Sequence, residues 1–161
     1  MRVAVIGGTQ FIGRRVVEHL VERGDEVLVA HRGQTEPADL VPCAHLHVDR
    51  SDFATAAGEV SAFQPDAVVD TMALTRDDVT AVLPHLPDVP VVVLSSMDVY
   101  RIFGALLDDD RTPMAVPVDE DGPLRVGRYP YVARACARTT TTSSTWSRRT
   151  WRVAARSCGW R

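Results

Sequence analysis

Three glycines, Gly7, Gly8 and Gly13, stand between a short apolar run, Val3-Ala4-Val5-Ile6, and an amphipathic stretch from Arg14 to Arg23. Such a turn suits an anion. Gly7 lets the chain turn sharply off a strand, and Gly8 removes a Cβ where a phosphate would approach. Gly13 lets the following helix pack closely on the sheet, and that helix's first N–H groups face the anion, as a dinucleotide pyrophosphate requires. Gly7, Gly8, Thr9, Gln10, Phe11, Ile12 and Gly13 are therefore the expected cofactor-turn residues, with Phe11 and Ile12 serving packing as much as ligand. Gln10 stands where a central glycine is often found, and the same spacing also fits an ordinary strand-to-helix turn.

The elements that must position this turn follow along the chain. Asp25–Ala30 reads as a second strand, 33–42 as a polar, proline-bearing loop, and His45–Val48 as a third strand. Asp52–Phe63 carries a helical apolar face, and Asp66–Thr71 reads as a fourth strand. A helix follows, capped by Thr75 or Asp77, with Val79, Val82 and Leu83 inward. Pro90–Ser95 is fully apolar and is expected as a central strand. Near-continuous Val/Leu runs separated by helices predict an α/β fold with a doubly wound parallel sheet covered on both faces.

Composition bounds the rest. The 161 residues suit one domain with a real core, and 45% hydrophobic with 24% charged residues is ordinary for a globular protein. No apolar run approaches a membrane helix of roughly 18–20 residues, so no membrane partner is expected. Cys43, Cys136 and Cys158 are scattered and lack metal-ligand spacing, so no metal site is expected and a cytoplasmic location is. Every basic residue counted is arginine; the chain holds no lysine.

Four motifs in order, Gly7-Gly8-Thr9-Gln10-Phe11-Ile12-Gly13, Asp49-Arg50-Ser51-Asp52, Ser95-Ser96-Met97-Asp98-Val99-Tyr100 and Val118-Asp119-Glu120-Asp121-Gly122-Pro123-Leu124, carry a resemblance. Over about residues 1–131 the chain resembles extended short-chain dehydrogenases/reductases, in the NAD(P)-dependent epimerase/dehydratase group with a Gly-Gly-Thr-x-Phe-Ile-Gly opening. The resemblance implies a Rossmann-type NAD(P)-binding domain over 1–131. It places Asp49 at the adenine edge, where the local alternatives are a strand-end or capping Asp; Asp52 is the better cap candidate. It also places Thr71 and Ala73 along the nicotinamide side. Ser96 stands at the family's catalytic Ser/Thr, holding a substrate oxygen, although a Ser-Ser pair also suits a polar strand terminus. Asp98 stands where dehydratases of the group carry an acid. The second strand ends Ala30-His31-Arg32 without the acid that would bind both ribose hydroxyls. Arg32 offers a guanidinium fork to a 2′-phosphate, which tilts the expected cofactor to NADP over NAD, a solvated loop arginine being the alternative.

The family's proton-transfer pair is a Tyr with a Lys four residues on. Here Tyr129 has Ala133 and Tyr131 has Ala135. The tail also differs in kind. Residues 1–133 carry 11 arginines against 21 acids, a charge of −10, and residues 134–161 add +7 with all three tryptophans and no acid. A shifted reading frame accounts for this. Threonine codons are ACN, so each threonine read from the preceding third base gives NAC, for Tyr, His, Asn or Asp, and one synonymous choice for Arg138–Ser147 encodes Tyr-Asp-Tyr-Asp-Lys. Residues 132–161 are thus expected to be out of frame, with the substrate-binding region missing; a disordered basic tail is the alternative.

The expected function is an NAD(P)-binding domain whose intact relatives transfer hydride at a carbinol or carbonyl carbon, with a small-molecule substrate of the nucleotide-sugar class. Exposed apolar sheet surface would make a homo-oligomer one expected outcome. The alternative is a non-catalytic Rossmann module acting as a nucleotide sensor or binding RNA. The −10 charge argues against a nucleic-acid partner for the folded part.

Overall fold

A computed structural model of the chain describes residues 1–108, 113 and 116–124. Its first compact unit is Met1–Leu94, and the described part of the second begins at Ser95. The boundary drawn at residue 131 from sequence lies outside the described residues, as do Tyr129, Tyr131 and the tail. The first unit holds strands β1 (Arg2–Ile6), β2 (Glu26–His31), β3 (Ala44–His47), β4 (Ala67–Asp70) and β5 (Val91–Val93), with helices α1 (Phe11–Glu22), α2 (Ala57–Phe63) and α3 (Arg76–Val82). All neighbouring strands are parallel, in the order β3-β2-β1-β4-β5.

Alternation along the strands separates two apolar layers. Val3 and Val5 of β1 and Val27 and Val29 of β2 point to one face, where Val17 and Leu20 of α1 cover them. Ala4, Ile6, Leu28 and Ala30 point to the other, against Phe53, Ala56, Val60 of α2 and Val82 of α3. Period-2 alternation in the strands and helical spacing in the covers are thus satisfied together. The doubly wound parallel sheet read from the sequence is the observed fold.

Two local expectations need correcting. The strand expected at Pro90–Ser95 is shorter, β5 spanning Val91–Val93; it is half-buried, and among the described residues it lies at the sheet edge with β4 as its one strand neighbour. Apolarity on both faces says that a strand is covered, not that it is paired on both edges. The Asp52–Phe63 segment opens as a 3-10 turn, Arg50–Ala56, before α2, and its cap is Asp49, not Asp52. Asp49 Oδ1 accepts from the Ser51 N–H at 3.0 Å and the Ser51 hydroxyl at 2.9 Å, which starts a tight turn. The Thr75 cap is as expected, with Asp78 completing a capping box.

In the second unit, a 3-10 turn at Met97–Val99 leads into α4 (Arg101–Asp108). Tyr100 forms an antiparallel bridge with Leu124, and the Arg101 N–H donates to the Pro123 carbonyl at 2.8 Å. Two motifs some twenty residues apart in the sequence are thereby joined. Among the described residues no helix is long and apolar enough to cross a membrane.

The glycine turn and α2 supply a paired prediction. A Cβ on Gly13 would lie 2.2 Å from the Gly7 carbonyl oxygen, a backbone atom that cannot swing aside. Gly13→Ala is expected to destabilise the fold by about 1–3 kcal/mol or more. A Cβ on Gly58 meets nothing within 4 Å, so Gly58→Ala is expected to stabilise by about 0.4–1 kcal/mol. Urea midpoints of the two variants check this; equal midpoints would refute the crowding at Gly13.

Candidate functional site

The carboxyl ends of β1, β2 and β4 open into a cavity of about 380 Å³, within the range of small-molecule sites. Gly7, Thr9 and Gln10 form one wall, Arg32 and Asp49 another, and Met72 stands on the β4 side. Ligands of open α/β sheets bind at this edge, where strand connections diverge.

The glycine turn is built by close approach. Gly7 has φ +84°, and a Cβ there would lie 2.2 Å from Met72 Cγ. The Thr71 hydroxyl, 2.9 Å from the Ile6 carbonyl and 2.8 Å from that of Gly7, ties β4 to the turn. Gly8 has a role the sequence did not suggest: its Cβ would meet Val17 and Val29 side chains at 2.6 and 2.8 Å, so its lack of a side chain seats α1 on β2. Phe11 opens α1 with φ +45° and is 87% exposed, and Ile12 is 50% exposed, so neither packs into the core. At the N-terminus of α1, Gln10 makes no side-chain cap and the first turn has no acid. That leaves the positive end of a twelve-residue helix without a competing carboxylate.

Gly7, Thr9, Gln10, Arg32 and Asp49 of the expected cofactor residues thus share the cavity. Gly8, Phe11, Ile12, Gly13, Thr71 and Ala73 are not part of its lining; Gly8, Gly13 and Thr71 shape the turn behind it, and the Ala73 N–H donates to Asp70. Arg32 is exposed on the wall. The Ser51 amide and hydroxyl, with a smaller contribution from Arg32, hold the Asp49 carboxyl below its ordinary value. Ser96 lies in the second unit, half-buried, its carbonyl accepting the Val99 N–H at 3.2 Å. The side chain of Asp98 is outside the described residues.

Two groupings were not read from the sequence. At the end of β4, Asp70 is 4% exposed and faces the Arg50 guanidinium, with Arg50 Nη1 3.2 Å from Oδ1 and Nη2 on Oδ2. Asp70 Oδ1 also accepts from the Met72 and Ala73 amides at 3.0 and 3.1 Å, while Arg50 Nε donates to the Asp78 carbonyl at 3.0 Å. Burial pushes the Asp70 carboxyl up, and the two amides and Arg50 pull against it. An acid closing an otherwise apolar strand was the available clue. Across β2 and β3, His31, His45 and His47 converge with Glu36 of the intervening loop, although no metal-ligand spacing was read from the sequence. Burial pushes the His31 imidazole below its ordinary range, and the hydrogen bond from His47 holds Glu36 low. The clue here was His-x-His on a strand, two residues that must share a face.

Removing Arg50 would leave Asp70 buried with only amide donors. Arg50→Ala is expected to cost about 3–5 kcal/mol at pH 7. A carboxyl whose folded pKa is raised is destabilising when ionised, so the loss should shrink as pH falls through that raised value toward about 4, the ordinary Asp value. Denaturant unfolding at pH 7 and at low pH checks this, and adding Asp70→Asn should recover part of the loss; a pH-independent loss would refute the buried-charge account.

Comparison with known proteins bears on the same region. UDP-glucose 4-epimerase from Stenotrophomonas maltophila, solved with NAD and formylated UDP-arabinopyranose, superposes with TM-score 0.61 at 20% identity, over 78% of this chain and 43% of that one. The Brucella ovis UDP-glucose 4-epimerase in complex with NAD gives 0.59 at 19%, over 77% and 41%. The Bordetella bronchiseptica enzyme WbmG in complex with NAD gives 0.54 at 20%, over 78% and 44%. At these identities the likeness speaks for the fold, and the chain spans less than half the length of each neighbour. No curated protein sequence matches the chain significantly. The model of the NAD dependent epimerase/dehydratase family, however, matches residues 3–85, from β1 through the turn after α3. Covering just over half of the 161 residues, that match makes the chain a member of the NAD dependent epimerase/dehydratase family.

Proposed function

We propose that this chain is a nicotinamide-dinucleotide-binding domain that does not turn over substrate by the family's Tyr–Lys route. The observation that carries the first half is the cavity at the glycine turn, where an acid-free helix N-terminus adjoins Gly7, Thr9 and Gln10. Family membership and neighbours solved with NAD support the same reading. The absence of lysine throughout the chain carries the second half, since the family's route requires a Lys to lower the tyrosine pKa.

The residues fit a dinucleotide in stated roles. The α1 N-terminus and the Gly7–Gln10 turn would hold the pyrophosphate, and Asp49 on the opposite wall would accept from the adenine amine. Arg32, exposed on that wall where an acid would bind the ribose, would pair with a 2′-phosphate, which favours NADP. The glycine-turn residues outside the lining would act by holding that geometry, and Thr71 and Ala73 by ordering the β4 side. When bound, the nicotinamide supplies a hydride acceptor or donor. Ser96 would hydrogen-bond a substrate oxygen, and UDP-sugars, as bound by the Stenotrophomonas enzyme, are the class to try.

Titration calorimetry with NADH and NADPH tests the reading. Micromolar binding is expected, with Arg32→Ala weakening NADPH about tenfold, the equivalent of one charge-assisted hydrogen bond, and leaving NADH nearly unchanged. Absence of binding to either dinucleotide would overturn the reading; equal loss for both would overturn the role of Arg32. With UDP-glucose and NAD present no epimerisation above background is expected, and turnover would refute the non-catalytic half.

A further inference from the structure

We propose that His31, Glu36, His45 and His47 form a closed, four-coordinate site for one divalent transition-metal ion of the zinc class. The site is independent of the dinucleotide reading. Register builds it: β2 and β3 pair with His31 beside His47 and Val29 beside His45, so the three imidazoles lie on one face of a two-strand edge. The loop after β2 returns Glu36 to the same point.

The spacing is that of a ligand cage. One donor atom from each residue lies within 4.8 Å of all the others. His31 Nε2 is 2.8 Å from His45 Nδ1 and 3.1 Å from Glu36 Oε1; His45 Nδ1 is 3.7 Å from that same oxygen, and His47 Nε2 contacts it directly. A tetrahedral ion with bonds of about 2.0–2.1 Å needs its donors about 3.3–3.4 Å apart, so these distances bracket the requirement. Three imidazoles and one carboxylate suit Zn²⁺, and four protein donors make a structural site with no position left open. Outside the cage, Cys43 Sγ lies 3.5 Å from His45 Nε2, on the side of the ring away from the ion, where it can accept the second N–H.

Loading has a defined proton cost. The Gly33 N–H now donates to His31 Nδ1 at 3.1 Å, which leaves the imidazole proton on Nε2. An ion on Nε2 requires that proton on Nδ1, so the Gly33 amide must turn away. Gly33 has φ +72° and no side chain, the residue for which such a rotation is easiest. His31 lines the dinucleotide cavity, and so does Thr35, beside Glu36. The ion would therefore pin the loop segment that places Thr35 at that cavity.

The test uses the full chain, purified without a polyhistidine tag, stripped of metal and titrated with Zn²⁺ and Co²⁺. One equivalent is expected, with the intense visible bands of tetrahedral Co²⁺, a raised melting temperature, and a displaced Gly33 amide resonance. Glu36 and His47 are exposed enough to change without loss of the core. Glu36→Gln and His47→Ala should each weaken Zn²⁺ binding by more than the roughly 10–100-fold that follows loss of a group hydrogen-bonded to a ligand. His19→Ala and His85→Ala, elsewhere in the fold, should change nothing. Failure to bind stoichiometrically, binding indifferent to Glu36→Gln and His47→Ala, or octahedral Co²⁺ would each overturn the site. A sulfur-to-cobalt charge-transfer band that vanishes in Cys43→Ser would overturn this donor set.

Discussion

The first unit depends on how closely α1 can approach the turn that precedes it. Gly13 stands against the Gly7 carbonyl with no room for a methyl group, and Gly8 is wedged against Val17 and Val29. Because of this contact the helix N-terminus lies at the carboxyl edge of the sheet instead of several ångströms away. The Thr71 hydroxyl locks the arrangement from β4 by bonding to carbonyls on both sides of the turn. Loosening the approach would disturb the core under α1 and the cavity together, since the same residues define both.

The second anchor is electrostatic. Asp70 at the end of β4 and Arg50 in the segment after β3 meet beside the cavity, where burial would be costly for either alone. Each is satisfied beyond the pair, Asp70 by two amides and Arg50 by a carbonyl. The pair fixes how the segment after β3 sits against the end of β4, and so sets the spacing of Asp49 from the glycine turn. Charge there is structural, while Arg32 on the wall remains exposed.

Residues 3–85 match the family model, and the superposition covers less than half of each neighbour that shares the fold. Binding a dinucleotide requires the turn, the helix end and two walls. Moving a proton at a substrate oxygen requires a further pair whose lysine the chain does not contain.

Much of this architecture was legible in the residues themselves. Near-continuous apolar runs such as Val3–Ile6 specified strands of a sheet covered on both faces, and the glycine spacing specified a turn into a helix, because both are local sequence signals. The roles of Gly7 and Gly13 and the cap at Thr75 were readable for the same reason. The cap at Asp49 was not, since Asp49 and Asp52 were both competent and only the tight turn decided between them. Nor could the sequence foretell that Gly8 serves α1 packing, that β5 ends the sheet of the described residues, or that Asp70 meets Arg50. The histidine cage is the clearest case: His31 and His47 are sixteen residues apart, and only the parallel register of β2 and β3 sets them side by side. Periodicity says which face a side chain takes, but which strands become neighbours, and in what register, is settled by the packing of the whole sheet.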